Sequence, residues 1–271
     1  MIIDTHVHIG GDKLCFDMTE AIVSEMITKY NIDHLLISNG DSSEVDFNQN
    51  LIPMEYQTSQ LDSLIRTLKY ARSNPGKMSV AVWIKPLTET ITPEFIRLIE
   101  DNLDIIKAIK IHPFHSRISP VDPKTLPYLE LADKYHLAVV SHTGTGEYDH
   151  PKHLYKAAKM FPNIPFVMVH MGLGSDNSEA LDLLGQAENL YGDTTWVPIS
   201  TTIEAINRYG NGKMMFGSDA PIDGLDTYLH NPNGDRSVYQ DYFHVLPDLI
   251  DEEAYKDLMY RNAIKILKLD I

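Results

Sequence analysis

Twelve histidines in 271 residues are the compositional anomaly of this chain, and several of them close short apolar runs. His6-Val7-His8 ends the first such run, His142 ends Val139-Val140-Ser141, His170 ends Val167-Met168-Val169, and Asp219 follows Phe216-Gly217-Ser218. Residues two apart on a strand share a face, so His6 and His8 point the same way. A lone buried imidazole is ordinarily satisfied by one backbone hydrogen bond. Several unpaired imidazoles at one mouth would cost several kcal/mol together, and a shared divalent ion removes that cost. His6, His8, His142, His170 and Asp219 are therefore the expected ligands of a metal. A single cysteine, Cys15, excludes a disulfide framework or a thiolate cluster within the chain, so imidazoles and carboxylates must do the holding.

The elements that must bring these residues together are legible from hydrophobic period. Eight strands are expected, at Ile2–His6, His34–Ser38, Ser79–Ile84, Ile106–Ile111, Ala138–His142, Phe166–His170, Leu190–Thr194 and Lys213–Gly217. Amphipathic segments separate them. Gln57–Ser73 repeats Leu61, Leu64, Ile65, Leu68 and Ala71 on one helical face. Thr92-Pro93 and Asp122-Pro123 read as helix starts, and Glu252–Leu269 as one long closing helix. Eight alternating units with no linker predict a single α/β domain over residues 1–271, a (β/α)8 (TIM) barrel. The long segments Asn39–Tyr56, His112–Val121 and Ala220–Asp248 would follow strands 2, 4 and 8 and crowd the C-terminal face.

The net charge, 23 − 38 = −15 with His neutral, argues against nucleic acid or an anionic membrane as partner. No signal segment and no apolar run long enough to span a membrane is visible, so a cytoplasmic protein is expected, with a small molecule as its partner and a homo-oligomer compatible.

In this order along the chain, Ile3-Asp4-Thr5-His6-Val7-His8, Lys110-Ile111-His112-Pro113, His142-Thr143-Gly144, His170-Met171-Gly172, Gly217-Ser218-Asp219-Ala220-Pro221 and Arg261-Asn262-Ala263 resemble the amidohydrolase superfamily. Within it they resemble the amidohydrolase-2 group, which includes aminocarboxymuconate semialdehyde decarboxylase. The resemblance implies a distorted barrel with a divalent metal, commonly zinc, held by His6, His8, His142 and Asp219. His170 would bind a second metal or hydrogen-bond the water or substrate. Three imidazoles and a carboxylate suit zinc and leave room for a water whose pKa falls to about 7. Asp219 is the expected catalytic base. Lys110 resembles the lysine that is carbamylated and bridges two ions in some members, but the one-metal group also shows Lys-x-His-Pro here; from the residues alone it reads as a solvated or ion-paired side chain. His112 is a donor behind the ligands, a substrate contact or itself a ligand.

Loop residues offer further substrate contacts. Arg117 and Arg236 would suit an acid, since arginine grips carboxylates with two hydrogen bonds. His115, Tyr148, His230 and Tyr239 are further candidates, Trp83 and Trp196 either wall the pocket or fill the barrel, and Cys15 is expected to be a packed thiol. The leading function is a metal-dependent hydrolase of an amide, ester or lactone. A metal-dependent non-oxidative decarboxylase is the alternative, and a non-catalytic metal-binding barrel a third reading that Asp219 speaks against.

Overall fold

Each apolar run becomes a strand covered on both faces, as parallel strands flanked by helices must be. The computed structural model describes residues 1–229 and 238–271. Its strands are β1 (Ile3–Ile9), β2 (His34–Asn39), β3 (Met78–Trp83), β4 (Ile106–Ile111), β5 (Ala138–Gly144), β6 (Phe166–Leu173), β7 (Leu190–Asp193) and β8 (Met214–Met215). They pair in parallel and in sequence order. The segment after β8 closes the ring on β1. Thr5 N–H donates to the Phe216 carbonyl (2.9 Å), Asp219 N–H to that of His6 (2.8 Å) and His8 N–H to that of Ala220 (2.7 Å). The result is the (β/α)8 barrel that the alternation predicts.

Small and branched residues fill the barrel interior, among them Ile3, Ala81, Ala108, Ala138, Val140, Val167 and Val169, and the C-terminal Ile266, Leu267 and Leu269 pack against them. Strict alternation would put Ile3 and the even-numbered histidines of β1 on opposite faces. The β1–β2 register shifts between Asp4 and Val7, and this irregularity lets Ile3, His6 and His8 all face inward. At β6, Val167 and Val169 face in, so His170 should face out. Its backbone is left-handed (φ 69°), which turns the imidazole back toward the axis.

Three element expectations are corrected. β8 is shorter than Lys213–Gly217 because Phe216 N–H donates to Leu258 of the closing helix (3.0 Å), leaving the sheet ladder. That same bond accompanies a π-turn at Asp257–Arg261, so the closing segment is not one regular α-helix but Glu252–Lys256, the π-turn and Asn262–Leu267. Asn262 ties this turn to the barrel, donating to the carbonyls of Asn211 (2.6 Å) and Met214 (2.8 Å). Asp122 caps a turn, accepting Lys124 N–H (2.8 Å), and the helix expected at Pro123 begins at Leu126. The Thr92-Pro93 start holds, with Thr92 Oγ1 accepting Phe95 N–H. Among the described residues no helix is long and apolar enough to cross a membrane.

Candidate metal centre

At the C-terminal end of the strands, His6 and His8 of β1 meet Asp219 from the segment after β8. His8 Nε2 lies 2.9 Å from His6 Nε2 and 3.0 Å from Asp219 Oδ1, and His6 Nε2 lies 3.4 Å from the same oxygen. Donors about 2.0–2.1 Å from a tetrahedral ion sit about 3.3 Å from one another, so this triangle has the dimensions of one face of a zinc site. His170 joins from β6: its ligand atom, with those of His6 and Asp219, falls in a group within 4.8 Å of one another. Its buried Nδ1 finds no hydrogen-bond partner among the described residues, the kind of orphan that a cation would satisfy.

Protonation suits the same use. Burial pushes the imidazoles of His6, His8 and His170 below their ordinary range, so they stay neutral with lone pairs available. Burial alone would raise the Asp219 carboxyl, but the surrounding imidazoles of His6 and His8 outweigh it and hold the group well below the usual carboxylate range. Trp196 donates its indole N–H to Asp219 Oδ2 (3.2 Å), so this tryptophan acts on the cluster itself rather than filling the barrel.

A set of partners behind the cluster fixes the rings. His6 Nδ1 is 3.1 Å from Thr195 Oγ1, and Thr195 Oγ1 donates to Asp193 Oδ2 (2.7 Å). Asp193 Oδ1 accepts the backbone N–H groups of His170 (2.9 Å) and Thr195 (3.1 Å). Ser38 Oγ meets His8 Nδ1 at 2.9 Å. Gly217 is required beneath them: a Cβ there would sit 2.9 Å from Asp193 Oδ2, 2.9 Å from Thr195 Oγ1 and 3.2 Å from the His6 Cβ.

His142 stands apart from the tight group. Its ring contacts His170 edge-on (4.7 Å) and stacks on His112 (4.4 Å), while its Nε2 faces Asp149 Oδ2 at 3.3 Å. Asp149 packs on Gly144 and Gly146, where added Cβ atoms would meet its carboxylate at 2.6 and 2.7 Å. Burial pushes this carboxyl up, but His142 and the N–H groups of Gly146 and Asp149 hold it below its ordinary value; none of these N–H groups reaches hydrogen-bond geometry at Oδ1.

Lys110 is buried, not solvated, and among the described residues no carboxylate pairs with it directly. Its Nζ donates instead to His6 Nε2 (2.9 Å), so an ammonium occupies a lone pair of the candidate ligand. Burial lowers its pKa, opposed by Asp219 and Asp193. His112 lies between Trp83 (stacked, 4.8 Å) and His142 and lines the cavity over the cluster.

Other expected contacts fall elsewhere. Arg117 is exposed and donates to the Gln49 carbonyl (3.3 Å), away from the cavity lining. Tyr239 is fully buried and is a strut rather than a substrate contact; its hydroxyl donates to the Ser218 carbonyl. Tyr148 does not line the cavity, whereas His115 and Trp83 do. Cys15 is exposed rather than packed, on a left-handed turn. Arg236 and His230 lie outside the described residues. Sequence reasoning missed Ser38, Asp149, Asp193 and Thr195, and quoted Gly217 only as part of a motif, without its packing role. The polar trio Asp193-Thr194-Thr195 closing strand 7 was a signal of the same form as the others; Asp149 gave none.

The sequence profile of the amidohydrolase family matches residues 57–269, a span that begins beyond His6 and His8. No curated protein matches the chain. Among solved structures, an uncharacterized TIM-barrel protein from Bordetella bronchiseptica is similar at 17% identity, covering 98% of each chain with a TM-score of 0.69. A probable 2-pyrone-4,6-dicarboxylic acid hydrolase from Acinetobacter baumannii, with citric acid bound, is similar at 13% identity over 99% of each chain (TM-score 0.66). So is 5-carboxyvanillate decarboxylase from Sphingomonas paucimobilis, at 13% identity over 99% of each chain (TM-score 0.66). At these identities the likeness is one of fold.

Proposed function

From its place in the amidohydrolase family, to which this chain belongs, we propose that the protein is a metal-dependent hydrolase acting on the carbonyl group of a small amide, ester or lactone. His6, His8 and Asp219 would hold a divalent ion, zinc by donor type, with His142 or His170 completing the set. Such an ion, when bound, polarises a carbonyl and makes water a nucleophile near neutral pH.

The observation that carries the reading is the placement of Asp219. It is only 7% exposed, and one oxygen lies between two imidazoles while the other is held by the Trp196 indole. A carboxylate fixed in that place beside the cavity accepts the proton of an attacking water and returns it to the leaving atom. Thr195 and Ser38 hold the outer nitrogens of His6 and His8. His112 would contact the substrate, and Lys110 holds His6 from beneath. Histidine and lysine side chains placed this way orient and hold; only Asp219 needs to move a proton.

The family fold hosts hydrolases and decarboxylases alike, so the test must read both reactions. Protein purified without a metal-binding tag is analysed for metal, then assayed for acid release from an ester, lactone and amide panel and for carbon dioxide release from hydroxybenzoates and dicarboxylates. Acid release is expected, with Asp219→Asn lowering kcat by about 10²–10⁴-fold. Carbon dioxide release without hydrolysis would replace this reading with the lyase one.

A further inference from the structure

Above the cluster lies a cavity of about 340 Å³, and two of the imidazoles that line it, His112 and His115, have their tautomers set by backbone bonds. His112 caps the helical turn Pro113–Ser116: its Nδ1 accepts the His115 N–H (3.4 Å), a proton shared with the His112 carbonyl (3.0 Å). A ring nitrogen that accepts carries no proton, so the proton of His112 sits on Nε2. His115 has the opposite tautomer. Its Nδ1 faces the Val45 carbonyl (2.9 Å), and a carbonyl only accepts, so Nδ1 holds the proton. Burial lowers this imidazole to about 4, so it stays neutral and its Nε2 keeps a lone pair.

Both rings are held in place. His112 lies flat between Trp83 (4.8 Å, 10° between planes) and His142 (4.4 Å, 14°), which leaves only its edge open. His115 meets Phe47 and Phe114 edge-on (4.9 and 5.1 Å), and its carbonyl accepts the N–H groups of Glu44 (3.0 Å) and Val45 (2.9 Å) from the loop that follows β2. The two imidazole centres are 4.6 Å apart. Among the described residues neither Nε2 has a hydrogen-bond partner and neither atom is closed off, so both open on the cavity. One wall therefore offers a fixed N–H donor beside a fixed lone pair.

Resting on the hydrolase reading, in which this cavity holds the substrate, we infer that His112 and His115 form a recognition subsite for an amide whose carbonyl and N–H lie on one edge, as in a primary or ring amide. The His112 Nε2–H donates to the carbonyl oxygen, and the His115 Nε2 accepts the amide N–H. A ketone or ester in the same place sets a methylene or an oxygen lone pair against His115 and leaves its nitrogen unpaired, which costs affinity. The path from His112 to the cluster runs through His142, whose ring meets His170 at 4.7 Å. The amide that the subsite reads is thus carried beside the reacting carbonyl and is not the bond that is cleaved.

Three probes of one bicyclic shape separate the two bonds: dihydrocarbostyril, a ring amide; β-tetralone, which keeps the carbonyl alone; and tetrahydroquinoline, which keeps the N–H alone. Calorimetry on the zinc-loaded protein should show the ring amide binding at least about tenfold more tightly than either of the others. Asparagine keeps the anchoring atom of each imidazole and removes the cavity atom. Its side-chain oxygen caps as the His112 Nδ1 does, and its amide nitrogen donates to Val45 as the His115 Nδ1 does. His115→Asn should shrink the affinity ratio of ring amide to β-tetralone at least about fivefold, and His112→Asn the ratio of ring amide to tetrahydroquinoline by as much. A general loss of packing lowers all three affinities together and leaves these ratios unmoved.

Hydrolysis is read separately, with the ester, lactone and amide panel. If nothing in that panel is cleaved but the ratios hold, the hydrolase reading fails and the subsite stands. Should a variant fail to fold, the parent ratios decide alone. If β-tetralone or tetrahydroquinoline binds the parent as tightly as the ring amide, if either ratio survives its substitution, or if no probe binds, the inference is overturned whatever the reaction.

Discussion

Asp193→Asn would replace one oxygen of a buried carboxylate by an amide nitrogen and, through it, change the tautomer of His6. A carboxylate only accepts, so Thr195 Oγ1 donates its proton to Asp193 Oδ2 (2.7 Å) and offers His6 Nδ1 a lone pair at 3.1 Å. His6 must then carry its proton on Nδ1, which leaves the lone pair on Nε2, the atom facing His8 and Asp219; Lys110 donates to it here, and a bound cation would take that place. Asparagine keeps one carbonyl oxygen for the N–H groups of His170 and Thr195, but its amide nitrogen donates. The Thr195 hydroxyl accepts that bond and turns its proton to His6 Nδ1. The imidazole proton moves to Nε2, where it blocks a ligand. Loss of such an outer partner lowers metal affinity about 10- to 100-fold, or about 1.4–2.7 kcal/mol. Competition for zinc against a chelating dye at pH 7.5 measures this, alongside the melting temperature of the metal-free protein. The variant should melt within a few degrees of the parent when metal-free and bind zinc at least tenfold more weakly, while Thr195→Ser keeps parental affinity. Zinc binding by Asp193→Asn within threefold of the parent would refute the tautomer mechanism.

Two further outcomes follow from close approach and burial. Gly217→Ala pushes a methyl group to 2.9 Å from both Asp193 Oδ2 and Thr195 Oγ1, so it should lower stability by about 1–3 kcal/mol in urea unfolding and weaken zinc binding as well. A variant with parental stability would show that the pocket beneath His6 yields freely. Burial raises the carboxyl of Glu44 to about 7, despite its bonds from Thr88 and Leu87. The folded protein therefore holds this proton more tightly than the unfolded chain, whose value is 4.5, and stability should fall as pH rises between those values, by on the order of 3 kcal/mol. Glu44→Gln should flatten that part of a urea-midpoint against pH curve; an unchanged slope would assign it to other groups.

The strand positions were readable because a barrel strand is buried on both faces, and its run of apolar residues survives any choice of loop. The candidate ligands were readable because a polar side chain closing such a run is anomalous in itself. The segment after β8 was less so: Phe216 leaves the ladder to bond Leu258, a long-range event that no local period encodes. The aromatic lining was only partly visible, since Phe47 and Phe114 sit in loops whose path is set by the His115–Val45 bonds. Arg117 looked like an acid-binding residue by type, yet its backbone turns left-handed (φ 54°) and its side chain leaves over Gln49.

What periodicity could not show at all was how two of the site residues come to face inward. His170 and Asp219 both hold left-handed backbones (φ 69° and 67°), a conformation that costs a non-glycine residue about 1–2 kcal/mol. Each is fixed by a bond to the site it serves: His170 N–H to Asp193 Oδ1 (2.9 Å) and Asp219 N–H to the His6 carbonyl (2.8 Å). The partner that orients the His6 ring is thus also the partner that holds the His170 turn, and the carbonyl of His6 holds Asp219. The imidazoles and the carboxylate are placed by one connected set of bonds, so a change at Asp193 should disturb His6 and His170 together. A double-mutant cycle of Asp193→Asn with His170→Ala, read by zinc affinity, should be strongly non-additive. Additive losses would mean that the two arms of the network act separately.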